Sequence, residues 1–281
     1  MNLWWTEQQT SGLRLGLRCS AVLERQRSPY QEVAVYASDT YGRMLALDDM
    51  VMTTEADEFV YHEMLAHPAL TLCANPRRVL VVGGGDGGTV REVCRHAAVQ
   101  RVVLAELDPE VTAVCRRHLP ELTAALDDSR VEIIPGDGVA YLAGVAPESF
   151  DVILVDAPDP IGPAEGLFGA AFYASAGSAL APGGLLVAQS ESPFLHGHLI
   201  RRVQAAMRMT FPAVSLYWAV VPTYPGAMWT FSIARRLPFG DPWETVGKPA
   251  LASVARYWSP EVQRAAFVLP PFVRTLAEAG A

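Results

Sequence analysis

Between residues 13 and 47, apolar and polar positions alternate in short runs at 13–24, 31–37 and 43–47, broken by Ser28-Pro29 and Thr40-Tyr41-Gly42. Period-two alternation bounded by turn residues marks half-buried strands, so a small antiparallel sheet is expected within residues 1–55. Over 55–72 the period lengthens: Phe59, Val60, Met64, Leu65 and Leu70 recur at helical spacing, and Asn75-Pro76 supplies the stop. From residue 79 the rhythm becomes strand, loop, helix. Strands are expected at 79–82, 101–107, 131–134 and 151–155, helices at 89–96 and 109–118, and further strands at 184–189, 214–219 and 229–234. Strands alternating with helices predict a doubly wound α/β domain over residues 56–281, with seven strands in its sheet.

Composition narrows the class without changing the fold. The chain has 281 residues, 51% hydrophobic and 19% charged, which describes a compact protein with a large core. Its 22 basic and 30 acidic residues give a net charge of −8, which disfavours nucleic acid and suits a cationic ligand. No basic segment followed by an apolar one opens the chain, and no apolar run reaches membrane-spanning length. A cytoplasmic location without a membrane partner is therefore expected. Cys19, Cys73, Cys94 and Cys115 lack metal spacing, and nothing near His196 and His198 completes a coordination set, so no metal site is expected.

The chemistry concentrates at the strand ends. Gly83, Gly85 and Gly88 follow the apolar run 79–82 with the G-x-G-x-x-G spacing that lets backbone N–H groups approach a nucleotide. Asp86 sits inside that loop, where it would repel a pyrophosphate. A nucleoside joined to a positive group, such as a sulfonium, fits the loop better than a dinucleotide. Glu106, 21 residues beyond Gly85, is spaced to take ribose hydroxyls, and Asp137 can accept from an adenine amino group. Any one of these acids could be a helix cap or turn residue, but Asp86, Glu106, Asp137 and Asp156 recur at successive strand ends. Asp156-Ala157-Pro158-Asp159-Pro160 places two carboxylates three residues apart in a loop stiffened by proline, suited to binding an amine and accepting its proton, although a plain turn would use the same residues.

Four segments together resemble the spermidine synthases, the polyamine aminopropyltransferases. They are the glycine loop at 83–88, the Asp-x-x-Asp-Pro-Ile-Gly-Pro loop at 156–163, the stretch at 57–64 from Asp57 to Met64, and Pro222-Thr223-Tyr224-Pro225. The similarity runs from Tyr30-Gln31 to the tail at 266–270, and that tail with Met50-Val51-Met52 is most like the branch in spore-forming bacteria. The resemblance implies an α/β fold with a Rossmann-like, methyltransferase-type sheet and a small N-terminal antiparallel β domain. It implies transfer of the aminopropyl group of decarboxylated S-adenosylmethionine to putrescine, giving spermidine and 5′-methylthioadenosine, with no cofactor and a homodimer or homotetramer as the assembly. On this reading Gln31, Asp86, Glu106, Asp137, Gly138 and Pro163 contact the donor, and Asp86 holds its amino end. Tyr61, His62, Asp159 and Tyr224 line the amine channel with Asp86, and Asp156 is the proton acceptor.

Three positions depart from the family pattern. Ala157-Pro158 stand where a hydroxyl residue usually follows the first Asp, Met52 stands where many members have Gln, and Gly226-Ala227-Met228-Trp229 follow Pro225 in place of Ser-Gly. These bear on amine preference, so acceptors such as agmatine or cadaverine are alternatives. A polyamine N-methyltransferase using S-adenosylmethionine and a catalytically retired binding protein are further ones. Trp4 and Trp5 are candidates for a subunit interface or for covering their own sheet.

Overall fold

The computed structural model describes residues 3–160, 162–236 and 249–278, leaving the side chain of Pro163 outside the description. Strands β1 (Leu3–Thr10), β2 (Leu13–Arg27), β3 (Glu32–Ser38), β4 (Gly42–Leu47) and β5 (Met50–Thr54) form an antiparallel sheet in sequential order. β1 and β5 go beyond the three strands expected from the alternation. In β1 the pleat turns Trp5 and Glu7 inward while Trp4 stays 59% exposed, so Trp5 covers its own sheet and only Trp4 is free for an interface. One face of the sheet packs Trp5, Tyr36 and Met44 together. The other lays Val33, Val35, Leu45 and Leu47 on Val111 and Val114 of helix α3, which seats the sheet on the second layer.

The helices are α1 (Glu58–Leu72), α2 (Gly88–Cys94), α3 (Pro109–His118), α4 (Pro120–Thr123), α5 (Gly138–Ala143), α6 (Ala170–Ala179), α7 (Gly197–Arg208), α8 (Pro249–Ala252), α9 (Pro260–Ala266) and α10 (Pro271–Glu278). They surround a seven-stranded sheet of β6 (Arg78–Gly83), β7 (Arg101–Glu106), β8 (Val131–Pro135), β9 (Phe150–Asp156), β10 (Leu180–Gln189), β11 (Ala213–Val220) and β12 (Met228–Arg235). The spatial order is β11-β12-β10-β9-β6-β7-β8, with β12 antiparallel to both neighbours. This is the Rossmann-like, methyltransferase-type α/β arrangement expected from sequence. Helices α4 to α10 go beyond that expectation; α4, α5, α8 and α9 are only four to seven residues long.

Helix α1 is buried on nearly every side, which its flat mixture of apolar and polar residues does not announce. Pro68 has no N–H to donate to the carbonyl of Met64 one turn earlier. The Tyr217 hydroxyl on β11 donates to that carbonyl at 2.7 Å, so the proline is tolerated in the helix interior. Glu63, one residue before Met64, accepts the N–H groups of Arg256, Tyr257 and Trp258 at 2.7–2.8 Å and fixes the segment preceding α9 to α1.

Among the described residues no helix is long and apolar enough to cross a membrane. Replacing Tyr217 with Phe should leave the Met64 carbonyl buried and unpaired, at a cost of roughly 1–3 kcal/mol in urea or thermal unfolding. An unfolding free energy unchanged by the substitution would show that this hydrogen bond does not support the helix.

Candidate active site

In the large sheet the chain leaves β6 toward β7 and β8 on one side and passes through β9 and β10 on the other. The carboxyl ends of β6 and β9 therefore flank the switch point, where open α/β sheets bind ligands. Gly83 at the end of β6 pairs with Asp156 at the end of β9, so the glycine loop and the acidic loop face each other across one cleft. A single cavity there is lined by ten of the residues singled out from sequence: Gln31, Tyr61, His62, Asp86, Glu106, Asp137, Gly138, Asp156, Asp159 and Tyr224. The eleventh, Pro163, falls where its side chain is not described.

Close approach explains two of the glycines. A Cβ on Gly84, whose φ is +77°, would lie 2.5 Å from Asp156 Oδ2, and one on Gly88 would lie 2.2 Å from the His62 ring. The loop is thus bare partly to admit the protein's own polar side chains. One polar atom each of His62, Asp86 and Asp156 comes within 4.8 Å of the others. Asp86 Oδ1 accepts the Gly88 N–H at 2.8 Å, and Oδ2 lies 3.5 Å from His62 Nε2. Burial raises the Asp86 pKa, but the His62 charge outweighs it and the carboxyl sits below its usual range. Asp156 accepts the Thr89 hydroxyl at 2.7 Å, and burial together with the Asp86 charge pushes it above the usual range.

On the neighbouring strand, Glu106 accepts the Gly85 N–H at 2.9 Å and the Asp108 N–H at 2.8 Å. Burial still raises it to about 7. Asp137 caps α5 by accepting the Val139 N–H at 2.8 Å, so the helix-cap role and a place in the cavity coincide. Gln31 donates to Asp108 at 3.0 Å and joins the small sheet to the end of β7.

The opposite wall is a second joint between the layers. Asp57 accepts from the Thr54 hydroxyl at 2.6 Å and from the Thr223 N–H and hydroxyl at 2.9 and 2.7 Å. Tyr224 donates to the Met52 carbonyl at 2.6 Å, and its ring lies 5.5 Å from Tyr61. Met52 therefore serves this joint through its backbone, whatever its side chain.

A smaller neighbouring cavity shares Tyr61, Asp159 and Tyr224 with the first and is lined by Glu7, which sequence reasoning missed. Glu7 was legible only through β1: it shares the inward face with Trp5 two residues away. Glu191, also missed, lies past β10 against Asp159 and 3.0 Å from His196 Nδ1. Gln189 holds the acidic loop by donating to the Ala157 carbonyl at 3.2 Å. Burial and the facing Glu191 lift Asp159 to about 8, and burial lifts Glu7 to about 7 against the Val51 N–H it accepts.

Fold and site define a doubly wound α/β protein with an acid-lined ligand cavity at its switch point, roofed by an N-terminal β sheet. Residues 58–240 match the spermine/spermidine synthase domain and residues 3–55 the spermidine synthase tetramerisation domain. The chain belongs to the spermine/spermidine synthase family. It is 46% identical over 277 residues to a polyamine aminopropyltransferase of Moorella thermoacetica, covering 99% of this chain and 97% of that one. The corresponding protein of Clostridium tetani is 42% identical, with 98% of each chain covered. Spermidine synthase from Thermotoga maritima superposes with a TM-score of 0.89 at 32% identity, over 98% of this chain and 94% of that one. A spermidine synthase solved with the transition state analogue AdoDATO gives 0.92 at 34% identity, with the same coverage.

The raised carboxyls predict a pH dependence of stability. Glu7 is protonated in both folded and unfolded states below about pH 4.5, so it contributes no penalty there; as pH rises through its folded value of about 7, folding must keep a buried carboxylate, and stability falls. Glu7→Gln should therefore be more stable than the wild type at pH 8 by on the order of 1–3 kcal/mol and equal to it at pH 4. Equal stability at both pH values in thermal unfolding would contradict the assignment.

Proposed function

We propose that this protein is a spermidine synthase, transferring the aminopropyl group of decarboxylated S-adenosylmethionine to putrescine and releasing spermidine and 5′-methylthioadenosine. The observation that carries the reading is Asp86, a buried carboxylate inside the nucleotide loop. It opposes the carboxylate of S-adenosylmethionine and pairs with the bare ammonium left after decarboxylation. Glu106 and Gln31 take the ribose side of the donor, Asp137, Gly138 and Pro163 the base, and Tyr61, His62 and Tyr224 wall the amine channel. The acids Asp159, Glu191 and Glu7 at the far end match the distal ammonium of a short diamine, whose arrival favours their ionised forms.

The reaction is an in-line displacement. The amine nitrogen lone pair forms the new C–N bond, the C–S bond breaks, and sulfur keeps the electron pair as a neutral thioether. Positioning and charge supply the catalysis, and the donor is a co-substrate, so the reading calls for no cofactor or metal. The attacking nitrogen must first be a free amine, whose conjugate acid ordinarily has a pKa of about 10. The adjacent sulfonium disfavours a second positive charge and lowers that value. Asp156, lifted above its ordinary range by burial and by Asp86, is better matched to take the proton than an exposed carboxylate.

For assembly, residues 1–55 form a β domain that joins copies through its sheet, and 56–281 form the catalytic domain. A homodimer or homotetramer is expected, the four-copy form favoured by the module matched at residues 3–55.

The direct test incubates the protein with decarboxylated S-adenosylmethionine or S-adenosylmethionine against putrescine, cadaverine, agmatine and spermidine, with products identified by mass. Spermidine from putrescine and the decarboxylated donor is expected. Efficient methyl transfer would overturn the reaction class, and faster turnover of agmatine or cadaverine would move the acceptor. Asp156→Asn should lower kcat by roughly 10²- to 10⁴-fold with little change in donor affinity. A variant retaining wild-type kcat across pH 6 to 10 would remove Asp156 from the base role.

A further inference from the structure

His62 stands between two carboxylates. Its Nδ1 lies 2.6 Å from Glu58 Oε2, one helical turn earlier on α1, and its Nε2 lies 3.5 Å from Asp86 Oδ2. Glu58 cannot turn away, because Arg91 of α2 grips both its oxygens, Nη1 to Oε1 at 3.1 Å and Nη2 to Oε2 at 2.8 Å. The ring is pressed against Gly88, where no Cβ could fit, and its side chain is 3% exposed. This arrangement does more than support α1: it puts an ionisable cation on the carboxylate that the proposed function reserves for the donor's ammonium.

We propose that His62 is a placeholder cation, pairing with Asp86 in the empty site as an imidazolium and surrendering its Nε2 proton to solvent when the donor's ammonium docks. Glu58, fixed by Arg91, is the positioning residue: it keeps the Nδ1 proton in place and Nε2 aimed at Asp86. The inference rests on the reading that Asp86 receives the donor's amino end.

The groups facing the imidazole account for both states. Glu58 on its own helix, Asp86 on the glycine loop and Asp156 at the end of β9 are acidic; Arg91 of α2 is held on Glu58; and the hydroxyls of Tyr61 and Tyr224 stay protonated because burial raises them. Burial alone would strip the imidazolium, but the Asp86 and Glu58 charges outweigh it and keep the empty site protonated. Docking brings an ammonium and a sulfonium into the same pocket. Two cations then compete for Asp86, and the stronger acid yields its proton: an imidazolium ordinarily has a pKa of about 6.5, an alkylammonium about 10. Deprotonated Nε2 becomes an acceptor for the ammonium N–H. The site exchanges one cation for another in place of accumulating charge.

Calorimetric titration in two buffers of different ionisation enthalpy, phosphate and Tris at pH 7.5, reads the exchange directly, and no amine is present to permit turnover. Decarboxylated S-adenosylmethionine should release about one proton per site, and methylthioadenosine, which lacks both positive charges, none. His62→Gln should bind the donor without the release, which separates His62 from Asp156 as the source. In Glu58→Gln the imidazolium loses a partner, so the release should be smaller at pH 7.5 and grow as the pH is lowered, a pH shift that a merely structural defect would not produce. Tight donor binding with equal heats in both buffers, or a release that survives His62→Gln, would overturn the placeholder role while leaving the donor assignment intact. Failure of the donor to bind while methylthioadenosine binds would instead overturn the donor assignment itself.

Discussion

Two carboxylates, a buried Asp86 and a half-buried Asp156, facing each other at the ends of neighbouring strands are the constraint around which the rest of this protein is organised. Asp86 and Asp156 repel each other across the switch point, and burial removes the solvent that would screen them. The surroundings supply substitutes: the Gly88 N–H and His62 for Asp86, the Thr89 hydroxyl for Asp156. Glycines at 84 and 88 bring those partners close enough to act. Two carboxylates set this close together suit a positively charged ligand better than a phosphate.

The N-terminal sheet belongs to the same design. It closes the cavity through Gln31 on Asp108 and through the bonds of Asp57 to Thr54 and of Tyr224 to Met52 of β5, and it carries Glu7 to the neighbouring cavity beside Asp159. Burial raises all three acids there, Asp159 to about 8 and Glu7 to about 7, with Glu191 also above its ordinary range. On the proposed function, this placement of acids would treat the two ends of a diamine differently: the end facing the sulfonium would lose its proton and the other would stay charged.

What was legible in the sequence follows from what each signal reports. The apolar runs at 79–82 and 151–155 and the acids just past them located the switch point, because strand ends and turn residues are local features. Glu7 was missed because β1 carries only a short alternation and its partner acids lie far away in sequence. The clamp of Arg91 on Glu58 was hidden for the same reason, since Arg91 looks like an ordinary solvated helix residue until α1 and α2 are placed side by side. Helix α1 was found from its apolar spacing, but nothing local announced that Tyr217 would relieve Pro68. Trp5 illustrates the limit of composition: an aromatic pair near the start reads equally as interface or core, and only the pleat of β1 decides between them.

On the proposed function, the charge of Asp86 selects the donor. Equilibrium dissociation constants for decarboxylated S-adenosylmethionine and S-adenosylmethionine, measured on the wild type and on Asp86→Asn, test it most directly. The wild type should prefer the decarboxylated form by on the order of 100-fold or more, and the substitution should collapse the preference chiefly by weakening that form. Equal affinity of the wild type for both donors, or a preference untouched by Asp86→Asn, would contradict it.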